Sequence, residues 1–126
     1  MLGPGAERAL TVVGGTVPST GVQSVVLNVT VTEPTSASFL TVFPDGTGRP
    51  WSANLNVLPG QTVPNLVVAK VGTAGQLTFA AGSGNVHVIA DILGYFDVTS
   101  TDKFNPLDPT RVLDSRGALG GWNAKL

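Results

Sequence analysis

Apolar and polar residues alternate with a period of two along this chain, in short segments separated by turn chemistry. Such alternation sends successive side chains to opposite faces, which is strand geometry, and no window of ten residues repeats at helical spacing. From Ser24 to Thr32, Val25, Leu27, Val29 and Val31 point one way while Ser24, Asn28, Thr30 and Thr32 point the other. The same pattern predicts strands over Arg8–Val13, Phe39–Phe43, Ser52–Val57, Asn65–Val71 and Leu77–Ala80. Pro44-Asp45-Gly46-Thr47-Gly48, Pro59-Gly60, Gly72-Thr73-Ala74-Gly75 and Gly82-Ser83-Gly84 punctuate them as turns. Val86–Phe96 is apolar on both faces: Val86, Val88, Ala90 and Ile92 on one, His87, Ile89, Asp91, Leu93 and Tyr95 on the other. A strand of that kind is central and covered twice.

Composition agrees with this reading. The chain holds 18 Val and 14 Thr, stiff β-branched residues suited to pleated surfaces. Hydrophobic residues make up 42% and charged residues only 12%, which excludes disorder driven by charge. The 126 residues suffice for one domain, 1–126, with one core. The predicted fold is an all-β antiparallel sandwich of about eight strands, with a small β-barrel as the alternative.

Several function classes fall away. A net charge of −1 and a pI near 5.6 leave no basic surface for phosphate backbones, so nucleic acid is not an expected partner. Apolar runs break at Lys70, Asp91 or Gly94, well short of a membrane span. Cysteine is absent, which removes disulfides, thiolate metal sites and cysteine catalysis. Met1-Leu2-Gly3-Pro4-Gly5 has neither the basic nor the apolar region of a signal peptide, so the chain reads as a mature or excised segment with an initiator Met.

After Phe96 the texture changes. Asp97–Lys103 is a polar connector, and six of the fifteen residues from Asp102 to Arg116 are charged. Asn105-Pro106-Leu107-Asp108-Pro109 is extended, because residues before proline avoid the helical region. Leu107, Val112, Leu113 and Trp122 make this segment too apolar for simple disorder, so 104–126 is expected to dock.

Candidate site residues are few. Asp91 lies inside an apolar strand, and an unpaired buried carboxylate is untenable. It is expected to pair with Arg111 or Arg116, in a cluster that includes Asp114, and its loss would then unfold or strongly destabilise the domain. His87 has no nucleophile elbow near it in the sequence and reads as a packed or surface histidine. Asn54, Asn56 and Asn65 either line a polar groove or satisfy loops and strand edges. Trp51 and Trp122 fall outside the alternation, and either stack on sugar rings or anchor a core or interface. Asp45-Gly46-Thr47-Gly48 offers one carboxylate where calcium needs several oxygens, so it reads as a turn. Asn28-Val29-Thr30 is a glycosylation sequon inside a strand and is discounted. No metal or cofactor is called for.

Four motifs carry a resemblance. Pro106-Leu107-Asp108-Pro109-Thr110-Arg111-Val112-Leu113-Asp114-Ser115-Arg116 resembles the P-x-R-x-L-D-T/S-R signature that opens a repeat domain of secreted and surface proteins of actinomycetes. Val25-Val26-Leu27-Asn28-Val29-Thr30-Val31-Thr32 is similar to its V-x-L-N-V-T-V-T strand. Ser52-Ala53-Asn54-Leu55-Asn56 with Val63-Pro64-Asn65-Leu66-Val67-Val68 is similar to its S-N-L-N and V-P-N-L-V stretch. His87-Val88-Ile89-Ala90-Asp91-Ile92-Leu93-Gly94-Tyr95-Phe96 is similar to its closing strand. The resemblance implies a non-catalytic accessory module, secreted or at the cell surface, often beside cell-wall hydrolases.

The order is rotated relative to that family, with the opening signature here at the end. This implies a circular permutation or an unusual register of a tandem array, tolerated because domain ends often lie close together. Segment 104–126 then completes the domain in two ways. Folding back on its own chain would bring Leu126 near Leu2, whereas completing a neighbouring copy would give a swapped dimer or a head-to-tail assembly. A connector of roughly seven residues spans at most about 25 Å, which permits both.

Three functions therefore compete: a non-catalytic structural or interaction repeat module that partners itself through its permuted tail, which is the expected class; a carbohydrate-binding module for cell-wall glycan or polysaccharide, which is the alternative; and an enzyme. A shallow groove with Trp51 or Trp122 exposed beside asparagines marks the second. A second carboxylate near Asp91 or a nucleophile near His87 would mark the third, which is not the expected class.

Overall fold

A computed structural model describes residues 1–99 and 104–121 of the chain. Eight strands run through them: β1 (Glu7–Thr11), β2 (Val22–Thr32), β3 (Ser38–Pro44), β4 (Leu55–Val57), β5 (Val63–Lys70), β6 (Gln76–Ala81), β7 (His87–Asp97) and β8 (Asn105–Asp114). They form two antiparallel four-stranded sheets, ordered β1-β6-β3-β4 and β5-β2-β7-β8. The sheets face each other as a sandwich and do not close into a barrel.

The core is the inner faces of both sheets, as the alternation requires. Val25, Leu27, Val29 and Val31 of β2 all bury, against Leu40 and Val42 of β3, Leu55 and Val57 of β4, Leu77 and Phe79 of β6, and Val88, Ala90 and Ile92 of β7. β7 lies between β2 and β8, and its outer face is also covered at His87 and Ile89. Most strand ends move by one or two residues, and two segments change more. β4 is only Leu55–Val57, because Ser52–Asn54 leave the ladder and fold over the first sheet. The extended segment and apolar pair of the tail are instead one strand, β8.

Tyr95 lies on the opposite face from the one the alternation assigned. Leu27 pairs with Ile92 and Val26 with Gly94, so Leu93 is an extra residue bulging from β7. The bulge reverses the facing beyond it, and Tyr95 sits opposite Val25, packed against the core. Gly94 has no room for a side chain: a Cβ there would stand 2.5 Å from the Phe104 ring. Phe104 thus closes over β7 just ahead of β8, its ring centre 5.2 Å from that of Phe96.

β8 pairs with β7 of its own chain, Ala90 opposite Leu113 and Asp91 opposite Arg111. Val112 is the extra residue there, which lets Leu113 enter the core while Arg111 stays on the outer face. Leu107 and Val112 pack against the core from its margin. Leu126 lies outside the described residues, as does Trp122.

Candidate functional site

The outer face of the first sheet carries a groove of about 740 Å³. Its floor starts with a cross-strand pair, Phe39 of β3 opposite Asn56 of β4, both pointing away from the core. The 49–53 loop forms one wall. The hydroxyl of Thr41, fully buried on this outer face, donates to the Ser52 carbonyl at 2.7 Å and holds the loop down. The β6–β7 turn at Ala81, Gly82 and Ser83 forms another wall, with Gly5 beside it. Gly82 lets the turn approach the Phe39 ring closely: a Cβ would stand 2.5 Å from Phe39 Cε1 and push the ring aside.

Trp51 stands at the rim of this groove with its side chain wholly in solvent, at 107% relative exposure. A ring of that size left uncovered is an apolar surface without a function in folding. Arg49, two residues before it, also lines the groove and is held at several points. Its guanidinium carbon lies 5.3 Å from the Phe39 ring centre, and Nη2 donates to the Ala81 carbonyl at 3.3 Å. Nη1 is 4.0 Å from Oε1 of Glu7.

Of the three asparagines, the structure brings only Asn56 to this groove. Asn54 Oδ1 accepts from the Val42 N–H at 2.7 Å and its own N–H donates to the Leu40 carbonyl, so its side chain extends the β3–β4 pairing. Asn65 Nδ2 donates to the Asn54 carbonyl at 2.6 Å, tying β5 of the second sheet to that corner. Both replace ladder bonds that an abbreviated β4 leaves unmade.

Asp91 meets Arg111 across the β7–β8 ladder, Nε to Oδ1 at 2.7 Å and Nη2 to Oδ2 at 3.5 Å. The pair is not buried: the Arg111 side chain is 45% exposed and that of Asp91 20%. The β7 face bearing Asp91 looks outward, so the expected collapse on removing it does not follow. Arg116 pairs with Asp114 instead, through Nε at 2.9 Å and Nη2 at 2.7 Å, and Arg111 Nη1 reaches Asp114 at 3.3 Å. The Arg116 side chain, then its backbone N–H, its charge and that of Arg111 hold the Asp114 carboxyl well below the usual carboxylate range, against an opposing push from burial. The four side chains form an alternating charged ladder along the sheet edge.

His87 has a neighbour that its sequence surroundings do not reveal. Ser115 Oγ lies 3.0 Å from His87 Nδ1, both side chains buried, and Glu33 Oε2 is 3.8 Å from Nε2. A serine, a histidine and an acid in that order look like a nucleophilic set. The hydroxyl, however, is fully enclosed and accepts the Val88 N–H at 3.0 Å, while the Ser115 N–H donates back to the Val88 carbonyl. It extends the β7–β8 ladder and presents no oxygen to a substrate. The signal was available only through the register of strands that are far apart in sequence.

Among the described residues no three His, Asp or Glu side chains gather at metal-holding distance, and no helix is long and apolar enough to cross a membrane. In comparisons with known proteins, no family model, no curated protein and no solved structure matches this chain.

Proposed function

We propose that the chain is a non-catalytic binding module that holds carbohydrate in the Trp51 groove. One observation carries the reading: a fully exposed indole beside Phe39, Asn56 and Arg49 at the edge of a groove of about 740 Å³. Sugar rings present apolar C–H faces and a rim of hydroxyls, so aromatic platforms with nearby amide and guanidinium groups suit them. The enclosure of the Ser115 hydroxyl supports the absence of a catalytic role, as does the engagement of Asp114, the second carboxylate near Asp91, by Arg111 and Arg116. The resemblance to actinomycete accessory repeats supports an exported or cell-surface setting, where cell-wall glycan or polysaccharide is the ligand class.

A second reading rests on β8. This strand enters the sheet as a unit, with Leu113 fully buried, so the same segment from a neighbouring copy could fill the slot in a permuted repeat and link subunits. Electrophoresis through gels cast with cell-wall glycan and a panel of polysaccharides tests the first reading. Retardation by at least one polymer that Trp51→Ala abolishes is expected. Retardation by none of them, or retardation indifferent to Trp51→Ala, would retire it.

A further inference from the structure

Among the described residues lining the groove, Arg49 is the single charged one, and it is placed where a ligand lying on Trp51 would meet it. Its position is set before any ligand arrives, by the Phe39 ring on one side and the Ala81 carbonyl on another. A guanidinium has five N–H donors, and the hydrogen bond to Ala81 uses one of them. The nearest acid, Glu7, is 4.0 Å away, beyond hydrogen-bond reach, with its own side chain 47% exposed. The groove thus combines two aromatic surfaces, a polar asparagine and one preset fork suited to a planar anion.

Building on the carbohydrate reading, we infer that the groove selects carboxylate-bearing sugars, with Arg49, preset by Phe39, taking the carboxylate of a uronate ring while Trp51 takes a ring face. Glu7 then acts as a counter-charge that Arg49 exchanges for the ligand. A neutral sugar leaves that exchange unused and binds more weakly.

The test uses the full chain and matched pairs of acidic polymers and their methyl esters (pectate, alginate and hyaluronan), with dextran and cellulose as neutral controls. In at least one pair the acid is expected to bind about tenfold more tightly than its ester, the worth of one charge-assisted contact, and the preference should fall with added salt. Arg49→Gln should bring acid and ester to equal affinity, Arg49→Lys should keep part of the difference, and Glu7→Gln should enlarge it. Melting curves of each variant check that the fold persists. Acid and ester bound equally, both through Trp51, would overturn the charge selectivity and leave the carbohydrate reading standing. A preference that survives Arg49→Gln would also overturn it. Binding to none of the polymers would overturn both.

Discussion

Truncating Leu113 measures how far β8 belongs to the domain. Its side chain is fully buried in the shared core, and Val112 bulges out of register to allow that. Leu113→Ala removes three carbon groups, worth roughly 2.5 kcal/mol at about 0.8 kcal/mol each. The cavity left behind adds to this. Ala90 is the cross-strand partner and Gly120 packs so close that a Cβ on it would stand 3.1 Å from Leu113 Cδ1, so neither neighbour can lean in to fill the space. The total expected is about 3–4 kcal/mol, in the middle of the range for such truncations. Urea unfolding followed by fluorescence reads it as a lower midpoint at unchanged slope, since the slope reports the surface exposed on unfolding. A loss under about 1 kcal/mol would refute the reasoning, because a fully packed leucine cannot be removed so cheaply. A loss accompanied by a reduced slope would mean that the variant had already released β8 before unfolding.

Three further outcomes are expected. Gly82→Ala should push the Phe39 ring aside and weaken polysaccharide binding while costing under about 1 kcal/mol, because the ring is partly exposed and free to move; paired binding and melting measurements check it, and unchanged binding would contradict the groove assignment. Ser115→Ala should cost about 1–3 kcal/mol by orphaning the buried Val88 N–H and a ring nitrogen of His87, read by urea unfolding. The Asp114 carboxyl has its folded pKa below its unfolded value, so its stabilising contribution is fully present above the ordinary carboxylate range and is lost as pH falls through the lowered folded value. Stability should therefore decline in acid below about pH 4, less steeply in Asp114→Asn, and an identical acid slope in that variant would rule the ladder out as a contributor.

The strands were legible because burial imposes a period of two, and Val25, Leu27, Val29 and Val31 satisfy it without exception. The bulges at Leu93 and Val112 were not, since an extra residue is defined only against a partner strand that the local pattern does not mention. Tyr95 was assigned to the wrong face for that reason. Asp91 was legible as a partner for an arginine, but its exposure depends on what covers the outer face of β7, which only the assembled sheets reveal. The asparagines divide in the same way. Asn54 and Asn65 serve backbone groups at the short β4 corner, while Asn56, two residues on from Asn54, faces outward opposite Phe39. Trp51 stood out as an aromatic outside the alternation. Its groove, however, needs the 49–53 loop to fold over β3 and the turn at Gly82 to approach Phe39, and neither is written in local spacing.

The central claim is that carbohydrate is held on the outer face of the first sheet, around Trp51. An NMR titration of backbone and side-chain amides with an oligosaccharide of the best-retained polymer tests it most directly. Saturable shifts confined to the Trp51 indole N–H, Phe39, Arg49, Asn56 and Ser83 are expected, with the β7–β8 edge unmoved. Shifts that cluster instead on β8 and the charged ladder from Asp91 to Arg116, or that never saturate at Trp51, would contradict it.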